Sequence, residues 1–203
     1  MSLLSQNGLV AYYPFNKNAD DESINNNHGE IFGATLTSDR FNSDSSAYHF
    51  SGLDYIKILD HESLDIPNVT ISVWVKFDNT SSIQLIVDKH LGSGALDSYE
   101  IWFQNNKFWG AIGNTSGFGP FISAELIPNL SEWYHLVYTY DDLTNTQKLY
   151  IDCELVATSE VLISPSTDNE PLLIGASNDQ QIPKFFFKGD IDESGLSPIL
   201  WTT

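Results

Sequence analysis

The sequence predicts an all-β domain, an antiparallel sandwich or barrel, and three observations predict it. Apolar residues alternate with period two over many short runs. No long segment keeps apolar residues at i, i+3, i+4 and i+7, as an amphipathic helix requires. Clusters of Asn, Asp, Gly, Pro and Ser punctuate the runs, as turns between short strands demand. The 203 residues are 41% hydrophobic and 13% aromatic, enough apolar material for one sizeable core. No linker, repeat or low-complexity block divides them. Residues 1–7 read as a leader or an added extension, and residues 8–203 as a single domain.

Residues 9–15 and 47–59 are the first two apolar, aromatic-rich segments. Residues 69–78 follow, with Ile71, Val73, Val75 and Phe77 on one face and Ser72, Trp74 and Lys76 on the other. Residues 83–87, 133–140, 148–157, 171–175 and 185–191 complete the set outside one hairpin. That hairpin spans residues 98–113. Asn105-Asn106 suits its two-residue turn, because Asn tolerates positive φ. The turn pairs Gln104 with Lys107, Phe103 with Phe108, Trp102 with Trp109 and Ile101 with Gly110. Tyr99, Ile101, Phe103, Phe108 and Ile112 then share the core face. Glu100, Trp102, Gln104, Lys107 and Trp109 share the outer one, where two tryptophans form a flat platform among polar groups.

Charge narrows the partners. Against 27 acids stand 9 bases, one of them the single arginine Arg40, for a net charge of −18. Nucleic acid and anionic membrane surfaces need clustered Lys and Arg, so neither is an expected partner. Hard divalent cations suit such a chain, since they take carboxylate and carbonyl oxygens. One cysteine, Cys153, excludes an intramolecular disulfide and a thiolate zinc cluster, and it reads as a small packing residue of a strand. No run approaches the ~18 apolar residues of a membrane span, and the start lacks a signal-peptide pattern.

Six segments together resemble one family. They are residues 8–41 (GLVAYYPFNKNADDESINNNHGEIFGATLTSDRF), 47–58 (AYHFSGLDYIKI), 69–77 (VTISVWVKF), 132–141 (EWYHLVYTYD), 148–158 (KLYIDCELVAT) and 187–197 (FKGDIDESGLS). In this order they resemble the laminin-G-like, pentraxin-like branch of the concanavalin A-like lectin/glucanase superfamily. The resemblance implies a jelly roll, a sandwich of two curved antiparallel sheets. Three positions depart from the pattern. Ile24 stands where a glycine usually follows the serine. Cys153 replaces a hairpin glycine; a turn needing positive φ suits cysteine poorly, so a different turn is expected there. Ser194-Gly195 replaces an apolar-basic pair, so the last strand is expected to end early.

The run 20–29 places oxygen-bearing Asp21, Ser23, Asn25 and Asn27 at alternate positions, the density a calcium loop needs. It is not an EF-hand. The family often holds one structural Ca²⁺ where this loop meets the final strand, and by that resemblance Asp192 supplies a second carboxylate. No histidine pair has zinc-ligand spacing, and His135 reads as a satisfied strand residue.

Catalytic patterns are absent from the sequence. Retaining glycosidases on this superfold commonly use E-x-D-x-x-E, which does not occur here. Lyases of the fold use arginines, and Arg40 is alone in an N-terminal loop. Neither a G-x-S-x-G elbow nor a Cys/His signature is present. The expected function is a noncatalytic, calcium-stabilised lectin-like module of a larger secreted or bacterial surface protein. Its ligand would be a glycan or surface protein held by Trp102 and Trp109, with Glu100, Gln104 and Lys107 as polar partners and Trp74 joining them. The loop 114–121, with Phe118 and Phe121, is a second candidate rim. A glycoside hydrolase or polysaccharide lyase, and a structural spacer module, are the alternatives.

Overall fold

The computed structural model describes residues 8–94 and 96–198; the segment 1–7, read as a leader, lies outside them. Two eight-stranded sheets stack face to face, and every pairing is antiparallel.

The first sheet holds β1 (Ala11–Tyr13), β3 (Thr35–Thr37), β4 (Ala47–Ser51), β6 (Val69–Phe77), β12 (Tyr134–Asp141), β13 (Thr146–Ile151), β14 (Glu154–Glu160) and β16 (Lys188–Ser197). Its order is β14-β13-β12-β6-β16-β4-β3, with β1 also on β16. The second holds β2 (Gly29–Phe32), β5 (Tyr55–Ile58), β7 (Gln84–Leu91), β8 (Leu96–Gln104), β9 (Lys107–Asn114), β10 (Gly117–Phe118), β11 (Ile122–Glu125) and β15 (Leu172–Ile174). Its order is β10-β9-β8-β7-β15-β5-β2, with β11 also on β9. Among the described residues the only helical turns are short 3-10 pieces at Glu62–Leu64 and Asp179–Gln181.

The core lies between the sheets, where alternation places it. Ile71, Val73, Val75 and Phe77 of β6 meet Tyr99, Ile101 and Phe103 of β8 and Phe108 and Ile112 of β9. The β8–β9 hairpin has the expected register, Gln104 to Lys107 through Ile101 to Gly110, around Asn105 (φ 53°) and Asn106 (φ 57°). Two positive φ values at the turn match the right-handed strand twist.

Several expectations are corrected. The run 47–59 is two strands in different sheets, because Gly52 at φ 100° turns the chain across from β4 to β5. The last strand does not end at Ser194-Gly195. It continues to Ser197 after an irregularity between Asp192 and Gly195, where Glu193 has φ 43°. The turn at Cys153 keeps its positive φ values, 50° at Asp152 and 69° at Cys153. Cys153 is therefore an exposed turn residue and not a packing residue. Strand β7 is buried along its whole length. The segment 176–184 crosses its outer face, with Ser177 bridged to Lys184 and the Asn178 N–H bonded to Asp88.

Candidate functional site

The outer face of the second sheet gathers the aromatic side chains. Cross-strand pairing sets Leu85, Trp102, Trp109 and Ser123 in one row over four neighbouring strands. The two indoles lie within 9° of parallel with centroids 5.6 Å apart. Phe121 meets Trp102 edge-on at 5.5 Å, and Phe118 meets Phe121 at 5.4 Å. Gln104 holds both indole nitrogens: its side-chain oxygen accepts from Trp102 Nε1 (3.4 Å) and its carbonyl from Trp109 Nε1 (3.1 Å). The Lys107 ammonium stands 5.8 Å from the Trp109 ring.

This is not the open platform expected from the sequence. Trp102 is only 7% exposed, packed with Leu85 and Ala111. The accessible apolar surface comes from half-buried Trp109 and Phe118 and from Phe121, which is 52% exposed. Sequence reading placed Phe118 and Phe121 on a separate rim; the β10 and β11 pairings with β9 fold that rim onto the tryptophans.

Glu100 belongs to the next row, Lys57–Leu173–Asp88–Glu100–Ala111. It is 8% exposed and Asp88 is 0% exposed, so Glu100 is not a free polar partner of the tryptophans. Burial, and then their mutual repulsion, push the Glu100 carboxyl well above the usual range. The same burial pushes Asp88 up. Beside them lies a cleft of ≈ 300 Å³ lined by Tyr55, Lys57, Glu170, Leu173, Asn178 and Gln181 among others. Glu170 shapes its wall by accepting from Asn178 Nδ2 (3.3 Å) and Gln181 Nε2 (2.9 Å). The sequence reading missed this cleft, although polar runs flank strand 172–174 on both sides.

Trp74 does not join the surface of Trp102 and Trp109. Strand β6 lies in the first sheet between β12 and β16, so Trp74 faces out on the opposite side of the sandwich. There it stacks on His135 at 4.8 Å, and the Arg40 guanidinium sits 4.7 Å from its ring. His135 is bonded to Ser72 at 2.8 Å, as its strand position predicted. Arg40 also pairs with Asp192 and Glu193, which accept from separate guanidinium nitrogens.

The calcium expectation meets a poor fit. Asp21 Oδ1 accepts from the Tyr12 and Ser23 N–H groups, and Oδ2 from Ser23 Oγ and the Asn27 N–H, all at 2.7–2.8 Å. Asn25 and Asn27 turn amide N–H groups on the Val10 carbonyl at 3.0 and 2.8 Å. Four donors fill the Asp21 carboxylate, and Arg40 takes Asp192. The loop closes on the protein's own donors, so these residues do not fit a shared cation.

Comparison with known proteins agrees with this architecture. The sequence profile of a family described as "Concanavalin A-like lectin/glucanases superfamily" matches residues 50–197. No curated protein gave a significant match. Domain 4 of AbnA, an extracellular arabinanase from Geobacillus stearothermophilus solved with arabinotriose, is 20% identical with a TM-score of 0.71; the match covers 94% of this chain and 92% of that one. The sialyllactose-bound CBM40 of a Ruminococcus gnavus sialidase is 13% identical, with a TM-score of 0.65 and coverage of 96% and 95%. The binding domain of Paraclostridial Mosquitocidal Protein 1 is 17% identical with a TM-score of 0.71; 97% of this chain spans 50% of that domain. At such identities the likeness shows a shared fold. With the profile covering most of the chain, the protein belongs to the concanavalin A-like lectin/glucanase superfamily, as a laminin G-like domain.

Proposed function

We propose that this domain is a noncatalytic glycan-binding module whose ligand lies on the outer face of the second sheet, against Trp109, Phe118 and Phe121. The observation that carries this reading is the exposed aromatic group itself, with Phe121 52% exposed beside near-parallel indoles and flanked by Lys107. Sugar C–H faces pack on aromatic rings while nearby polar groups bond hydroxyls. The net charge of −18 opposes acidic glycans and favours neutral ones. Structural neighbours of nearly equal length were solved with arabinotriose and sialyllactose, which supports the ligand class. The extracellular neighbour supports a place in a larger secreted or surface protein. Against hydrolysis stands the burial of Asp88 and Glu100, the facing carboxyls of this sheet, with Asp88 bonded under the segment 176–184 through Asn178. A retaining pair must reach the sugar.

Glycan-array screening followed by calorimetry tests the proposal, with arabinotriose as the neutral probe and sialyllactose as the acidic one. Trp109→Ala and Phe121→Ala are expected to weaken binding about tenfold or more, as loss of a stacking ring does. Unchanged affinity in both variants would overturn the site, and steady release of reducing sugar would overturn the noncatalytic reading.

A further inference from the structure

Strands β7 and β8 enclose a second group of side chains with no part in sugar stacking. Asp88, His90 and Asp97 each present one ligand atom, and these atoms lie within 4.8 Å of one another. All three residues are buried. A bulge brings them together. Residues 97 and 100 are three apart and would point to opposite faces of a regular strand. Pairing jumps from His90–Asp97 to Lys89–Tyr99, which leaves Ser98 as an extra residue and sets Asp97 on the side of Glu100.

The cluster is short of donors. Asp88 Oδ2 accepts from the Asn178 N–H (2.9 Å), and His90 Nδ1 is bonded to Asp97 Oδ1 (2.8 Å). Asp88 Oδ1 and His90 Nε2 are fully buried with no N–H or hydroxyl donor or acceptor to bond, while the Asp88 and Asp97 carboxyls lie within hydrogen-bond reach of each other. Asp179, from the covering segment, adds a buried unpartnered Oδ1, while its Oδ2 takes the Lys184 ammonium at 3.0 Å. With Glu100 opposite Asp88, four carboxyls face one imidazole and one ammonium. Buried polar atoms are nearly always satisfied, and an orphaned carboxylate oxygen in a buried group whose ligand atoms lie within 4.8 Å of one another is what a cation completes.

We propose that Asp88, His90 and Asp97 bind a divalent metal ion, which fastens the segment 176–184 to strands β7 and β8. One imidazole nitrogen among carboxylates suits Zn²⁺ or Mn²⁺ better than Ca²⁺, which prefers six to eight oxygens. His90 Nδ1 and Asp97 Oδ1, 2.8 Å apart, stand close enough to take one ion as neighbouring ligands. The protein-only alternative is a proton shared between Asp88 and Asp97. The proposal stands apart from the glycan reading, since no ligating residue belongs to the aromatic group.

The test uses the full chain, stripped with a chelator and dialysed against Zn²⁺, Mn²⁺ or Ca²⁺ in turn. Metal content is read by mass spectrometry and Tm by scanning fluorimetry. About one equivalent of Zn²⁺ or Mn²⁺ is expected. A hundredfold excess over Kd should raise Tm by roughly 5–10 °C. His90→Gln and Asp97→Asn should abolish both effects, with circular dichroism in chelator confirming that they fold. Asp88→Asn is the second variant, because its amide mimics a protonated carboxyl. It should keep the chelated wild-type Tm and gain nothing from metal. Failure of the wild type to retain Zn²⁺ or Mn²⁺ would overturn the proposal in favour of the shared proton. So would a metal-induced rise that survives in Asp97→Asn.

Discussion

At Asp192, burial and pairing pull one carboxyl in opposite directions. Its side chain is 2% exposed, and desolvation raises its pKa to about 6 even though Arg40 beside it acts to lower it. The folded pKa therefore lies above the unfolded value near 3.8. Such an acid holds more protons folded than unfolded. Its stabilising contribution is complete below about pH 4 and disappears as pH rises through 6. Acidification also relieves the general repulsion of an acidic chain, so the variant difference isolates the site. Asp192→Asn should flatten the decline in unfolding free energy between pH 4.5 and pH 6.5, measured by urea titration. Parallel profiles for variant and wild type would show that Asp192 does not titrate in this window.

At the scale of the element, the hairpin from β13 to β14 carries strain that one substitution can remove. Asp152 and Cys153 both have positive φ, and cysteine has no local compensation for it as Asn or Gly would. Relief of the left-handed strain is worth about 1–2 kcal/mol. Glycine gives back roughly 0.4–1 kcal/mol through the freer unfolded chain. Cys153→Gly should thus stabilise by about 0.5–1 kcal/mol, or ~1–4 °C in Tm. A lower Tm would mean that the thiol contributes packing which its exposure does not suggest. The same elements show what sequence can reveal. The β8–β9 register was legible because alternation ran unbroken across Asn105-Asn106. The face of Trp74 was also legible, but its sheet was not, since a strand's period says nothing of its neighbours. The run 47–59 hid a change of sheet because alternation continued across Gly52. The cluster of Asp88, His90 and Asp97 was invisible for two reasons. Ser98 shifts the period within β8, and the covering segment lies about 90 residues further along the chain.

At the scale of the molecule, the imbalance of 27 acids and 9 bases sets how the fold responds to salt. Among the described residues, Arg40, Lys76, Lys89 and Lys184 stand within ion-pair distance of carboxylates. Lys89 is the most enclosed: its ammonium meets Asp60 at 2.9 Å and the Asp168 and Glu170 carbonyls at 3.2 and 2.6 Å. Exposed pairs contribute little, and screening would weaken them only slightly; the enclosed Lys89 pair is screened least. Acids therefore remain in large excess, and their mutual repulsion opposes the compact state over distances longer than any one pair. That repulsion fades once the Debye length falls to ~10 Å near 0.1 M salt. Raising NaCl from 10 to 300 mM should accordingly raise Tm by a few degrees, with chelator present so that divalent ions play no part. Most of the rise should come below about 0.1 M, where screening changes fastest. A Tm that falls with added NaCl would show instead that the few ion pairs, and not the surplus of carboxylates, dominate the electrostatics of the folded domain.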